Sequence, residues 1–550
     1  MKKNDWWKSK VVYQIYPKSF KDSNGDGIGD IGGIIEELDY LKDLGVDVIW
    51  LTPIYKSPQN DNGYDIADYY NIEPMFGTLE DFKKLLDETH KRGMKLIMDM
   101  VVNHTSTEHK WFKEALKGKD NPYHDYYIWR DKPNNWASKF GGNAWKYVES
   151  LDEYYLHLFD VTQADLNWEN ENMRNDICKM MRYWLDMGVD GFRLDVVNLL
   201  SKDQRFLDDD YETVTRDGRR FYTDGPRIHE YLNLLNREVF SKYEGIMTVG
   251  EMSSTNIENC IKYTNPANKE LDMVFNFHHL KVDYKNGDKW ALKDFDFEQL
   301  KELLFTWQTE MEQGGGWNAL FWCNHDQPRI VSRFGDDKLY RIESAKMLAT
   351  AIHLMRGTPY IYQGEEIGMT NADFDSISKY RDVESINAYN ILKDKGLENN
   401  EILNILYNRS RDNGRTPMQW NNDVNSGFTT GTPWIDVQNN YEEINVEKDL
   451  NRKDSIIEFY KELIKIRKEN EVISNGSFKP LFKDHDKVFA YLRELNEERI
   501  MVINNFYKEE VVLDISEVKG NREVILSNTD NILDGDKLTL KPYGSIVIKL

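Results

Sequence analysis

Three acids close or follow short apolar runs: Asp195 in Gly191-Phe-Arg-Leu-Asp195, Glu251 in Val249-Gly-Glu251 and Asp326 in Asn324-His-Asp326. A single acid at the end of a strand is ordinarily an ion-pair partner or a helix cap. Three of them, accompanied by Arg193, His104 and His325, point to carboxylate chemistry instead. Retaining glycoside hydrolysis needs one carboxylate to attack the anomeric carbon and one protonated carboxyl to release the leaving oxygen, about 5–5.5 Å apart. Arg193 precedes Asp195 by two residues, so on a strand both side chains share a face. Its guanidinium is expected to keep Asp195 ionised as the nucleophile. Glu251 must start protonated, which burial and neighbouring carboxylates favour. Asp326 would bind sugar hydroxyls and steady the developing positive charge, with His104 and His325 as neutral hydrogen-bonding partners.

Such a set needs a frame that brings distant strand ends to one mouth. With 550 residues the chain exceeds one compact core, and two or three domains are expected. Apolar, β-branched runs at 11–16, 46–51, 95–102, 191–196, 246–250, 273–277, 319–323 and 359–362 alternate with amphipathic segments such as 33–44 and 79–87. Eight strands alternating with helices predict a closed (β/α)8 TIM barrel over 1–102 and 173–474, with its active site at the C-terminal strand ends. A doubly wound open sheet is the structural alternative. The interval 103–172 is rich in Trp, Tyr, Asn and Gly and too long for a structureless loop, so it reads as a small inserted domain after the third strand. From 475 to 550 the pattern alternates between turn signals, as in an antiparallel β-sandwich.

Composition narrows the partners. The net charge of −23 disfavours nucleic acid and anionic membranes, which attract basic patches. Cys178, Cys260 and Cys323 lie far apart, which argues against a disulfide framework or a zinc site. The N-terminus lacks an apolar h-region, and no stretch approaches the roughly 20 apolar residues of a membrane span. A cytoplasmic protein is expected, with no catalytic cofactor. The aromatic fraction of 13% suits flat rings that receive sugar faces.

The segments Asp99-Met-Val-Val-Asn-His104, Gly191-Phe-Arg-Leu-Asp195, Val249-Gly-Glu251 and Asn324-His-Asp326 resemble the four ordered signature regions of the α-amylase family of retaining glycoside hydrolases. The resemblance covers nearly the whole chain and implies the barrel, the inserted domain and the C-terminal β domain. It also implies substrate-binding roles for Asp61, Tyr64, Phe159, Gln163 and Arg415. In Asp22-Ser-Asn-Gly-Asp-Gly-Ile-Gly-Asp30, oxygens alternate around a Gly-bent turn as Ca²⁺ ligands require. Similar loops of the family imply a structural Ca²⁺ (or Mg²⁺) held by Asp22, Asn24, Asp26, the Ile28 carbonyl and Asp30.

Within that family the chain resembles the intracellular branch of oligo-1,6-glucosidases and trehalose-6-phosphate hydrolases, which Val196 beside the nucleophile fits. Val249-Gly-Glu-Met-Ser-Ser-Thr255, Asn276-Phe-His-His-Leu-Lys-Val-Asp-Tyr284 and Arg219-Arg-Phe-Tyr-Thr-Asp-Gly-Pro-Arg227 look like the second group. The expected substrate is therefore a phosphorylated disaccharide, with the oligo-1,6-glucosidase reading as the alternative. The leaving sugar would carry a dianion that Lys281 and Lys289 could meet. The acidic stretch 207–217 matches no family pattern and leaves the far rim of the site undefined. A transglycosidase would share the three acids and differ in excluding water. A non-catalytic accessory member is disfavoured because all three acids are present.

Overall fold

The computed structural model describes residues 5–210 and 217–550. Eight strands fall on the eight apolar runs: β1 (Val12–Ile15), β2 (Val48–Leu51), β3 (Lys95–Val101), β4 (Gly191–Asp195), β5 (Met247–Glu251), β6 (Met273–Phe275), β7 (Ala319–Leu320) and β8 (Thr358–Tyr362). All are buried apart from Lys95 at the start of β3, because helices outside and side chains inside hide both faces of a parallel sheet. The ladders run in the order β6-β5-β4-β3-β2-β1-β8-β7, and a parallel bridge between Val274 and Asn318 joins β6 to β7 and closes the ring. The register sets Arg193 of β4 opposite Asp99 of β3.

The helical periodicity needed two adjustments. The segment 33–44 forms two helices, Ile31–Glu36 and Leu38–Leu44, parted at Glu37, whose backbone (φ −101°, ψ 10°) leaves the helical region. The second amphipathic segment extends to Leu79–Lys91. It starts on a reciprocal cap between Thr78 and Asp81 and buries Phe82, Leu85, Leu86 and Thr89 at helical spacing.

Between β3 and β4, His104–Ser106 pairs with Gln163–Asp165, and Trp129–Arg130, Glu153–Leu156 and Trp145–Val148 form a three-stranded antiparallel sheet. Trp136 and Trp145 of this interval pack with Val196, Leu199, Phe206 and Tyr222, which follow β4. The insertion is thus keyed by large rings into the loop just beyond Asp195. Losing a ring buried as Trp136 is costs about 3–5 kcal/mol.

The C-terminal strands make a five-stranded antiparallel sheet (Ser477–Leu481, Val488–Leu495, Glu498–Asn505, Ser545–Lys549, Glu523–Ser527, in spatial order) and a three-stranded one (Val511–Asp514, Lys537–Leu540, Ile532–Asp534). Val488, Ala490, Met501, Ile503, Ile546 and Ile548 of the first meet Val511, Leu513, Leu538 and Leu540 of the second, as in a sandwich. Among the described residues no helix is long and apolar enough to cross a membrane.

Candidate active site

The C-terminal ends of β3, β4 and β5 converge on one guanidinium. Arg193 Nη1 donates to Asp99 at 2.7 Å and to Asp195 at 2.6 Å, and Nη2 lies 2.6 Å from Glu251 Oε2. The same Glu251 oxygen accepts the Val196 amide at 3.1 Å. That amide is aimed by a sharp turn after β4. Val196 has φ 34° and ψ 40°, the left-handed region, which a β-branched residue enters only under strain.

Burial sets the charge states. It pushes Glu251 up to about 8, with Arg193 opposing and Asp195 and Asp326 adding to the rise. It also lifts Asp195 to about 6, against the pull of Arg193. The guanidinium therefore limits the rise of Asp195 instead of depressing it below the ordinary carboxylate range. Near neutral pH the pair is still split in the sense that a nucleophile and an acid require, and its two protonation steps belong to both groups together.

Asp326 forms a second focus. Arg415 Nη2 reaches its carboxylate at 2.7 Å and Arg411 Nη1 at 3.4 Å. Burial pushes Asp326 up, but the guanidiniums of Arg411 and Arg415 hold it well below the usual range. Arg411 also pairs with Asp61 at 3.1 Å and Asp382 at 2.6 Å. Burial raises Asp61 to about 7 against the pull of Arg411 and Arg415. Burial lowers His104 to about 4 and His325 to about 3, so both rings are neutral, as expected. His325 stacks on Tyr64 at 5.1 Å. His104 lies 3.2 Å from Gln163 Nε2, which donates to Asp61 at 3.0 Å, and its ring meets Phe159 at 5.2 Å.

These groups surround one cavity of about 390 Å³, within the range of small-ligand sites. Asp61, Tyr64, His104, Phe159, Asp195, Glu251, Lys281, Lys289 and Asp326 line it. Arg193, Gln163, His325 and Arg415 are buried behind them. The two rim lysines differ. Lys289 is tied to Glu384 at 2.6 Å, whereas Lys281 has no ion pair among the described residues. Sequence reasoning missed Lys139, Ser253, Arg219 and Arg411, which also line the cavity. Arg219 and Ser253 stood inside segments already singled out, but nothing in those segments shows that they meet Lys139 and Lys281 at one cavity. Of the acidic stretch 207–217, residues 211–216 lie outside the described residues; Asp217 reaches the rim, paired with Arg219 at 2.6 Å.

In the loop 22–30, side-chain oxygens of Asp22, Asn24 and Asp26 each accept the amide two residues on. This gives three successive turns in which a side-chain oxygen accepts an amide of the loop, and Asp22 also accepts from Gly27 and Thr429. Asp30 is turned to Ser23 and to the Gly33 amide, so the donor set fits in part. Among the described residues no three His, Cys, Asp or Glu side chains are grouped to hold an ion.

The sequence profile described as "Alpha amylase, catalytic domain" matches residues 14–476. The chain belongs to the α-amylase family. The profile described as "Alpha-amylase SusG C-terminal domain" matches 488–547. Among α-amylase relatives, the chain is 59% identical to a trehalose-6-phosphate hydrolase of Bacillus subtilis, over 99% of this chain and 98% of that one. It is 52% identical to an oligo-1,6-glucosidase of Bacillus cereus, over 99% of each. The crystal structure of Bacillus licheniformis trehalose-6-phosphate hydrolase superposes with a TM-score of 0.95 at 61% identity, covering 99% of this chain and 100% of that one.

Proposed function

We propose that the protein is a retaining α-glucoside hydrolase that cleaves trehalose 6-phosphate to glucose and glucose 6-phosphate. Asp195 attacks the anomeric carbon of the unphosphorylated glucose while Glu251 gives its proton to the glycosidic oxygen, and glucose 6-phosphate departs. Glu251, now a carboxylate, takes a proton from water, which attacks the glucosyl ester and frees glucose and Asp195. Asp326, kept anionic by Arg411 and Arg415, binds sugar hydroxyls and favours the oxocarbenium-like charge. Asp61, Tyr64, His104, Phe159 and Gln163 shape the pocket for the glucose that becomes covalently bound.

The observation that carries this reading is Lys281. Among the described residues it is a cation with no ion pair, at the rim of a cavity floored by the acids, in a chain of net charge −23. A phosphate on the leaving sugar supplies the missing charge. The 59% identity to a trehalose-6-phosphate hydrolase supports the same substrate. Comparing trehalose 6-phosphate, trehalose and isomaltose as substrates of the purified protein tests it. Trehalose 6-phosphate is expected to be preferred; a preference for isomaltose would favour oligo-1,6-glucosidase activity.

Two lesser assignments belong to the same reading. Cys178, Cys260 and Cys323 are buried free thiols, which supports a reducing, cytoplasmic setting. The loop 22–30 is assigned a structural Ca²⁺ or Mg²⁺, held through Asp22, Asn24, Asp26 and the Ile28 carbonyl with Asp30 as the outlying member. The ion would stiffen the loop after β1 and take no part in the chemistry.

A further inference from the structure

Lys281 is not alone among the cavity's cations in having no ion pair among the described residues. Lys139, on the inserted segment, also lines it. Its Nζ donates to Ser253 Oγ at 3.3 Å and stands over the Tyr222 ring at 5.4 Å. It has no ion pair among the described residues. The acids that face it are Asp217 and Glu251. Asp217 is already held by Nε and Nη2 of Arg219, and Glu251 is the group that must carry a proton. Lys139, Lys281 and Arg219 are near enough for repulsion among them to register. Of the three only Arg219 has an ion pair among the described residues; gathered like charges cost stability, and such clusters can mark sites that receive a counter-charge from a ligand.

The position of the cluster is informative. Glu251 protonates the glycosidic oxygen, so the leaving sugar lies beyond Glu251 as seen from Asp195. Ser253 follows Glu251 by two residues and is the contact of Lys139. We propose that Lys139 is a second specificity-determining residue for the 6-phosphate, gripping it jointly with Lys281 and so tying the inserted segment to the barrel when the phosphorylated sugar binds. This rests on the phosphorylated-disaccharide reading above.

The pairing carries a pH signature. Burial, Arg219 and Lys281 lower Lys139 to about 8, with Asp217 and Glu251 opposing. Its charge is therefore present below pH 8 and lost as pH rises through it. A sugar phosphate completes its second ionisation near pH 6. The advantage of a phosphorylated over an unphosphorylated sugar should be greatest between those two values.

The test is inhibition of aryl α-glucoside hydrolysis by glucose 6-phosphate and by glucose, at pH 7 and pH 9. In the wild type, glucose 6-phosphate should bind more tightly than glucose, with a smaller advantage at pH 9. Lys139→Gln should raise the glucose 6-phosphate inhibition constant about tenfold and the glucose constant by much less. Lys139→Arg, whose charge does not titrate in this range, should keep the advantage at pH 9. If Lys139→Gln moves both constants equally, Lys139 is structural and the proposal fails. If Lys281→Ala weakens glucose 6-phosphate but Lys139→Gln does not, the proposal fails and the phosphate reading stands. If the wild type binds glucose 6-phosphate no better than glucose, both fall.

Discussion

On the floor of the cavity each of these acids has an arginine partner: Asp99, Asp195 and Glu251 share Arg193, and Asp61, Asp326 and Asp382 share Arg411 and Arg415. At the rim, Lys139 and Lys281 have no such partners among the described residues. The floor is organised before substrate arrives, since its dipoles and charges are fixed by strand ends and cost little to hold during reaction. The rim waits for a charge that the substrate brings. Catalysis and selectivity are thereby separated in space, and each can be damaged alone.

The deepest break should come from Asp195→Asn. No neighbouring group can replace an in-line nucleophile, so the rate should fall by several orders of magnitude on any α-glucoside. A 2-fluoro glucosyl inactivator should label the peptide containing Asp195; a label elsewhere would reject the assignment. Next in size is Glu251→Gln. Natural sugars should suffer severely, while aryl glucosides with good leaving groups keep their first step. Equal damage to both would place the donor elsewhere.

Damage at the rim should look different. Lys281→Ala is expected to raise KM for trehalose 6-phosphate about ten- to a hundredfold and to change aryl glucoside hydrolysis far less, and high salt should mimic part of the loss. Equal loss on both substrates would make Lys281 structural and erase the distinction between rim and floor. A subtler probe is pH. With Asp195 at about 6 and Glu251 at about 8, kcat/KM on an uncharged glucoside should fall as pH drops below 6, where the nucleophile protonates. It should fall again as pH rises above 8, where the acid is lost. A flat profile from pH 5 to 9 would contradict this split. The smallest effect on turnover belongs to the loop 22–30. Asp22→Ala combined with Asp26→Ala, or a chelator, should lower the melting temperature more than activity at moderate temperature, because an ion bound only to the native state stabilises it by mass action. A melting temperature indifferent to chelator would leave the loop as a turn alone.

The floor was largely legible in the sequence, and the rim was not. Asp195, Glu251 and Asp326 come from strands or the short loops that follow them, and the apolar runs fix where those strands end. Arg193 could be placed by alternation alone. Lys289 could not be judged, because its partner Glu384 is 95 residues away. Lys139 was invisible for a related reason. It sits in an irregular loop, and its neighbours Ser253, Arg219 and Lys281 arrive from three separate connections. That Asp195 would be ionised could be read from the adjacent arginine, but the rise that burial imposes on it could not, because sequence does not show the degree of burial. The left-handed turn at Val196 had no signal either, since β-branched residues rarely adopt it.

The sharing of Arg193 by three acids has a consequence for inheritance. Asp99 is fully buried and is not among the cavity-lining residues, yet its charge helps to set where the proton rests between Asp195 and Glu251. The trio and its arginine behave as one ionic unit with a single negotiable proton. Exchanging one member alone would disturb the charge of the others. Neutralising Asp99 would move the operating pH of an enzyme whose contacts with sugar had not changed, so a lineage that keeps its working pH should keep this carboxylate as it keeps those that touch the substrate.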